Sequence, residues 1–160
     1  MAFTFEVSGM EDLIAKMAKL PDKGADVSAL ALYEGAAIMA DAVSRAVQGI
    51  ATEEFHYTKF GTRLPSPEEK AVLLGAKRGV AKFKKNRASV NTSVGMQNAG
   101  YGTIKGKTVP IPKIANAINS GTSFMKPQPF FRAAVETSAG AAAGAIEGGI
   151  ESRLDMLSLD

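Results

Sequence analysis

Three features of the sequence predict an α+β fold, a small antiparallel sheet packed by a long N-terminal helix and a C-terminal helix. Phe3, Phe5 and Val7 fall on every second position, as do Val90, Thr92, Val94 and Met96, the period of a half-buried strand. Two longer runs, from about Val27 and from Pro129, repeat apolar residues every three or four positions, the period of a helix face. Strands and helices come in blocks and do not alternate as βαβ units, which separates α+β from α/β.

Ser8-Gly9 ends the first strand. Leu13, Ile14, Met17 and Leu20 then predict a short helix, with Glu11 and Asp12 in the first turn where the helix dipole favours anions. Pro21 and Gly24 interrupt it. The long N-terminal helix carries Leu32, Ala36, Met39, Val43, Val47 and Ile50 on one side. Residues 51–66 are polar and aromatic with Gly61 and Pro65, and read as loop. Ser66-Pro67-Glu68-Glu69 reads as a helix start, Ser as cap and Pro in the first turn, for a helix through Ala71, Val72 and Leu74 to about Lys77.

Residues 77–87, KRGVAKFKKNR, read as a basic connector that is mobile or faces a partner. Gly100, Gly102 and Gly106 mark a hairpin around Tyr101 to Lys107. KIANAIN, after VPIP, fits either a helical turn or a short strand. The last helix places Phe131, Val135, Ala142, Ile146, Ile150, Leu154 and Leu157 along one side. Gly140, Gly144 and Gly148 line another stripe, and each costs about 1 kcal/mol of helix stability relative to Ala. Close approach of a second backbone is the expected compensation. Glu147, Glu151 and Arg153 argue against a membrane dimer motif.

The chain of 160 residues reads as one domain, 1–160, with a basic loop or helical insertion at about 51–87. Without cysteine there is neither a disulfide nor a thiolate metal site. No signal peptide or membrane partner is expected, and synthesis in the cytoplasm is. The charge is strongly segregated. Residues 1–69 carry six basic and eleven acidic side chains, 70–135 carry twelve basic and no acidic ones, and 136–160 carry one Arg and five acids. Such a basic middle calls for an acidic partner: nucleic acid, another protein, or the acidic ends of a second copy.

Catalytic, cofactor and metal residues are all expected to be absent. GYGTIKGKT, residues 100–108, misses phosphate-loop spacing by one residue and runs into Val109-Pro110-Ile111-Pro112 rather than a helix start. His56 is the single histidine, near Glu53 and Glu54, which is no ligand set and gives no nucleophile a base. Glu68 and Glu69 read as helix-start or surface charges. Lys77, Arg78, Lys82, Lys84, Lys85 and Arg87, with Phe83 among them, suit phosphates and a stacked base, or protein, or plain solvent.

The stretch SGTSFMKPQPFFRAA, residues 120–134, is stiff and aromatic in a chain with 7% aromatic residues. Pro127 and Pro129 fix φ near −65° and forbid helix until Phe130. Together with FEVSGMEDLIAKMAKLP near the N-terminus, INSGTSFMKPQPFFRAAVE resembles the tail-completion, or minor tail component, proteins of long-tailed phages. Shared are an opening strand, a Gly and a Leu-rich helix, then Gly121-Thr122-Ser123 and Pro127-Gln128-Pro129-Phe130-Phe131-Arg132. Asn119-Ser120 stands where the family has Glu and an aromatic, and Ala133 where a Pro commonly follows the Arg.

The resemblance implies a virion protein of the neck, a homo-oligomeric and commonly six-fold ring between tail terminator and head-completion proteins. DNA would cross its lumen without sequence specificity. Phe124, Met125, Pro127, Pro129, Phe130 and Arg132 are then candidate interface residues. One ring of Phe130 and Phe131 would anchor the last helix, with the other free to meet a neighbour. Alternatively Phe124, Met125, Phe130 and Phe131 all fill this chain's own core. Two other functions remain open: a tail terminator ring protein and a small basic DNA-binding protein.

Overall fold

The two long apolar repeats become the two longest helices among the described residues. A computed structural model describes residues 2–4, 23–54, 62–76, 79–80, 84–85, 90–91, 93–96 and 99–158. In chain order the elements are β1 (Ala2–Thr4), α1 (Gly24–Gln48), α2 (Pro67–Gly75), β2 (Gly79–Val80), β3 (Lys84–Lys85), β4 (Val90–Asn91) and β5 (Ser93–Gly95). They are followed by β6 (Tyr101–Ile104), β7 (Lys107–Pro110), α3 (Ile111–Ser120) and α4 (Phe130–Ser158). The helix expected over Leu13–Leu20, and Phe5, Val7, His56 and Thr92, lie outside the described residues.

The fold is α+β, a small antiparallel sheet packed by the long N-terminal and C-terminal helices. β5 is central in the order β1-β5-β2, with Phe3 and Val80 each opposite Val94. Val94 is buried with Ala36 and Met39 of α1 and Ala142 of α4. The helices run antiparallel, because Val27 and Ala31 at the start of α1 meet Ile146, Ile150 and Leu154. At the other end Val43 and Val47 share a cluster with Phe130, Phe131 and Ala134. That cluster also takes in Leu73 of α2 and Ile111, Ile114 and Ile118 of α3, and is the main core.

Close helix packing uses other glycines than the row the sequence singles out. A Cβ on Gly35 would lie 2.5 Å from Ile146 Cγ1 and 3.0 Å from the Ala142 carbonyl oxygen, so α1 and α4 meet there backbone to side chain. A Cβ on Gly149 would lie 3.3 Å from that of Ala31. A Cβ on Gly140, Gly144 or Gly148 would meet nothing within 4 Å outside the backbone of its own helix. The expected second backbone is therefore not supplied by this chain among the described residues. Burial of Ala142, Ile146 and Ile150 turns the glycine row to the opposite, solvent side of α4.

Local chemistry accounts for most boundaries. Ser66 and Glu69 form a reciprocal capping box with Pro67 in the first turn, and α2 stops at Gly75. Lys105 and Gly106 have φ of 49° and 73°, the left-handed pair that a two-residue β6–β7 turn requires. KIANAIN lies in the helix α3, whose Ile111, Ile114, Ala115 and Ile118 are buried on one face. The 77–87 connector is corrected in part. Gly79–Val80 pairs with β5 and Lys84–Lys85 with β4, since backbone pairing tolerates lysine in a short two-stranded ladder. By length and composition Asp26–Gln48 is apolar enough to cross a membrane, at mean hydropathy 1.3. In the fold its apolar side faces α4 and the sheet, while Asp26, Glu34, Asp41 and Arg45 are exposed.

Candidate partner-binding surface

The segment between α3 and α4 is built around a tight turn. Thr122 and Met125 exchange backbone hydrogen bonds, N–H to O at 3.0 and 3.3 Å, leaving Ser123 and Phe124 at the tip. The Thr122 hydroxyl accepts from the Phe124 N–H at 3.2 Å. Gly121 has φ 76° and ψ 172°, a conformation that is essentially glycine's alone. A Cβ there would lie 3.0 Å from the Met125 oxygen and from Pro127.

The turn is braced from outside as well. Arg63 N–H donates to the Phe124 carbonyl and Lys126 N–H to the Arg63 carbonyl, both at 2.9 Å. The side chain of Arg63 then forks onto Glu69, Nη1 to Oε2 and Nη2 to Oε1, each at 2.7 Å. Glu69 Oε2 also accepts from Ser66 N–H at 2.8 Å. Burial alone would raise the Glu69 carboxyl, but Arg63 and the Ser66 N–H hold it below the ordinary carboxylate value. Further along, Gln128 clamps both sides of the Ala51 peptide, Oε1 accepting from its N–H at 2.9 Å and Nε2 donating to its carbonyl at 2.8 Å. Asn119 Oδ1 accepts from Phe131 N–H at 3.1 Å, satisfying a donor in the first turn of α4.

This architecture divides the candidate interface residues. Phe124 is 73% exposed, and Pro127, Pro129 and Arg132 are also at the surface. Arg132 reaches along α4 to Glu136 at 2.8 Å. Met125 and Phe130 are corrected to core positions, at 5% and 6% exposure. The turn folds Met125 inward, and α4 begins at Phe130 so that both rings enter the main cluster. Phe130 and Phe131 meet edge to face with centroids 6.3 Å apart. Of the six candidate basic residues, Lys84 and Lys85 stand in β3, and Lys77, Arg78, Lys82 and Arg87 lie outside the described residues.

Beside the braced turn is a cavity of about 370 Å³. Ile104, Val109, Ile114 and Met125 give it an apolar lining. Lys105, Lys107 and Lys113 border it, and the carboxylate in its wall, Glu69, is the one taken up by Arg63. Sequence reading did not find this site, because its residues come from the 62–66 loop, α2, the β6–β7 hairpin, α3 and the turn. The one local signal was Glu at the third helical position after Ser66. No cluster of three or more His, Cys, Asp or Glu able to hold a metal exists among the described residues. Comparison with protein-family models, curated proteins and solved structures gives no match.

Proposed function

We propose that this chain is a structural subunit of the neck of a long-tailed phage, assembling into a ring that joins tail to head and lets DNA pass. It performs no catalysis in this reading. The supporting observation is the rigid presentation of Phe124. An aromatic ring left 73% exposed on a turn held by four backbone hydrogen bonds loses little freedom on binding, which favours an anchor for another protein. Gly121-Thr122-Ser123 and Pro127 to Arg132, on either side of Phe124, form the second of the two blocks that carry the resemblance to tail-completion proteins.

Electron microscopy of a lysate from a phage unable to make the protein tests the reading. Filled heads beside finished, unattached tails are expected. Tails of uncontrolled length would reassign it to the terminator ring. Normal virions would overturn a neck role and turn attention to the basic residues as DNA ligands.

A further inference from the structure

We propose that the lysine-bordered cavity receives the C-terminal end of α4 from a second copy of this chain. Met156 enters the apolar lining, and Glu151 and Asp155 meet Lys107 and Lys113. The inference rests on the assembly reading above and names the contact that would build the ring.

The donor surface is written along α4. At the C-terminal end of α4, Gly148, Ser152 and Met156 follow one another every four residues on one side and are all exposed. Glu147, Glu151 and Asp155 form the adjoining row, also exposed. The face is therefore smooth, acidic along one side, and ends in a methionine that is 65% exposed. Methionine is flexible and fills irregular apolar hollows. The cavity offers the complement, an apolar lining under three lysines. Opposite charge at its border orients the approach and speeds encounter at low salt.

The chain cannot fill its own cavity with this end. α4 has 29 residues and is about 43 Å long. Met125 and Ile114 of the cavity cluster with Phe130 and Phe131 at its first turn, whereas Leu154 packs on Val27 at the far end of α1. A copy that gives its helix end still has an open cavity. The contact is thus head-to-tail, and it generates a ring if the rotation closes.

Charge exchange tests it. One variant carries Lys107→Glu with Lys113→Glu, the other Glu151→Lys with Asp155→Lys. All four side chains are exposed, and circular dichroism and melting of each variant check that the fold is kept. In sedimentation velocity at low salt the wild type is expected to associate, and each variant alone to do so at least tenfold more weakly. An equimolar mixture should recover association, since each cavity then faces a helix end of opposite charge.

Assembly by either variant alone at the wild-type level, or no recovery on mixing, overturns the cavity contact while leaving the neck reading in place. A wild type that stays monomeric at every concentration also overturns it, and normal virions without the protein would end both. Duplex DNA bound through these lysines without self-association would assign them to phosphates instead. The cysteine-free chain permits a second test: Lys107→Cys with Met156→Cys should give an oxidised ladder of copies, and intrachain product alone would count against the contact.

Discussion

Arg63 is the residue on which the candidate surface turns, because its backbone pairs with the Phe124 turn while its side chain grips Glu69 at the start of α2. Their side chains are only 19% and 12% exposed, so removing one partner strands a charge. Glu69→Ala is expected to lower stability by about 2 kcal/mol in urea unfolding at neutral pH. The sign of the pH dependence follows from the lowered Glu69 value. Its stabilisation is complete above the unfolded glutamate pKa of about 4.3 and is lost as pH falls through the lower folded value. The difference between wild type and Glu69→Ala should therefore shrink at about pH 3; a constant difference would locate the effect in packing rather than charge. Phe124→Ala separates display from folding. At 73% exposure the ring adds little to stability, so melting should move by less than about 0.5 kcal/mol while assembly or infectivity falls. Gly121→Ala should act the other way, costing about 1–3 kcal/mol through its φ of 76°.

At the scale of elements, the two classes of glycine predict opposite outcomes for one kind of substitution. Gly35→Ala drives a methyl to 2.5 Å from Ile146, itself 3% exposed and unable to yield, and should destabilise by about 1–3 kcal/mol. Gly144→Ala meets nothing within 4 Å and should stabilise by up to about 1 kcal/mol, read as a higher urea midpoint. A loss of stability at Gly144 would mean that the row already packs on something in the protein as purified. These glycines also show what the sequence could and could not reveal. Period, capping box and proline placement made α1, α2, the hairpin and α4 legible, because those signals act within a few residues. The face on which helices approach was not legible, since Gly35 is chosen by where Ile146 falls, 111 positions later. KIANAIN gave competing signals because Val109-Pro110-Ile111-Pro112 reads as extended, yet Ile111 begins α3 with its N–H donated to the Gly100 carbonyl at 2.9 Å. Phe130, Phe131 and Met125 looked alike as apolar residues near prolines, and only the direction of the turn sends all three inward.

For the whole molecule, the charge layout was plain in the sequence, with a middle of twelve basic residues and no acid between more acidic ends. What that layout does was not, because three of the twelve, Lys105, Lys107 and Lys113, gather at the cavity only once the hairpin folds beside α3. Their position links the two partners that a basic surface invites. If a neighbour's helix end covers these lysines, they are withdrawn from DNA, and each copy in the assembly should make fewer phosphate contacts than the single chain. Each contact contributes about 0.9 to the slope of log affinity against log salt for duplex DNA. In the Lys107→Cys, Met156→Cys variant two of these lysines remain, Lys105 and Lys113, and covering them should make the slope per copy shallower by roughly 2 units between its reduced monomer at low concentration and its cross-linked assembly. Titration of a labelled duplex between about 50 and 200 mM salt measures it. An unchanged slope would mean that assembly leaves the lysines exposed, and the helix end would then have to lie elsewhere. A slope that falls as expected would assign the cavity lysines to the ring contact and leave the basic residues of 77–87 among the candidates to face DNA.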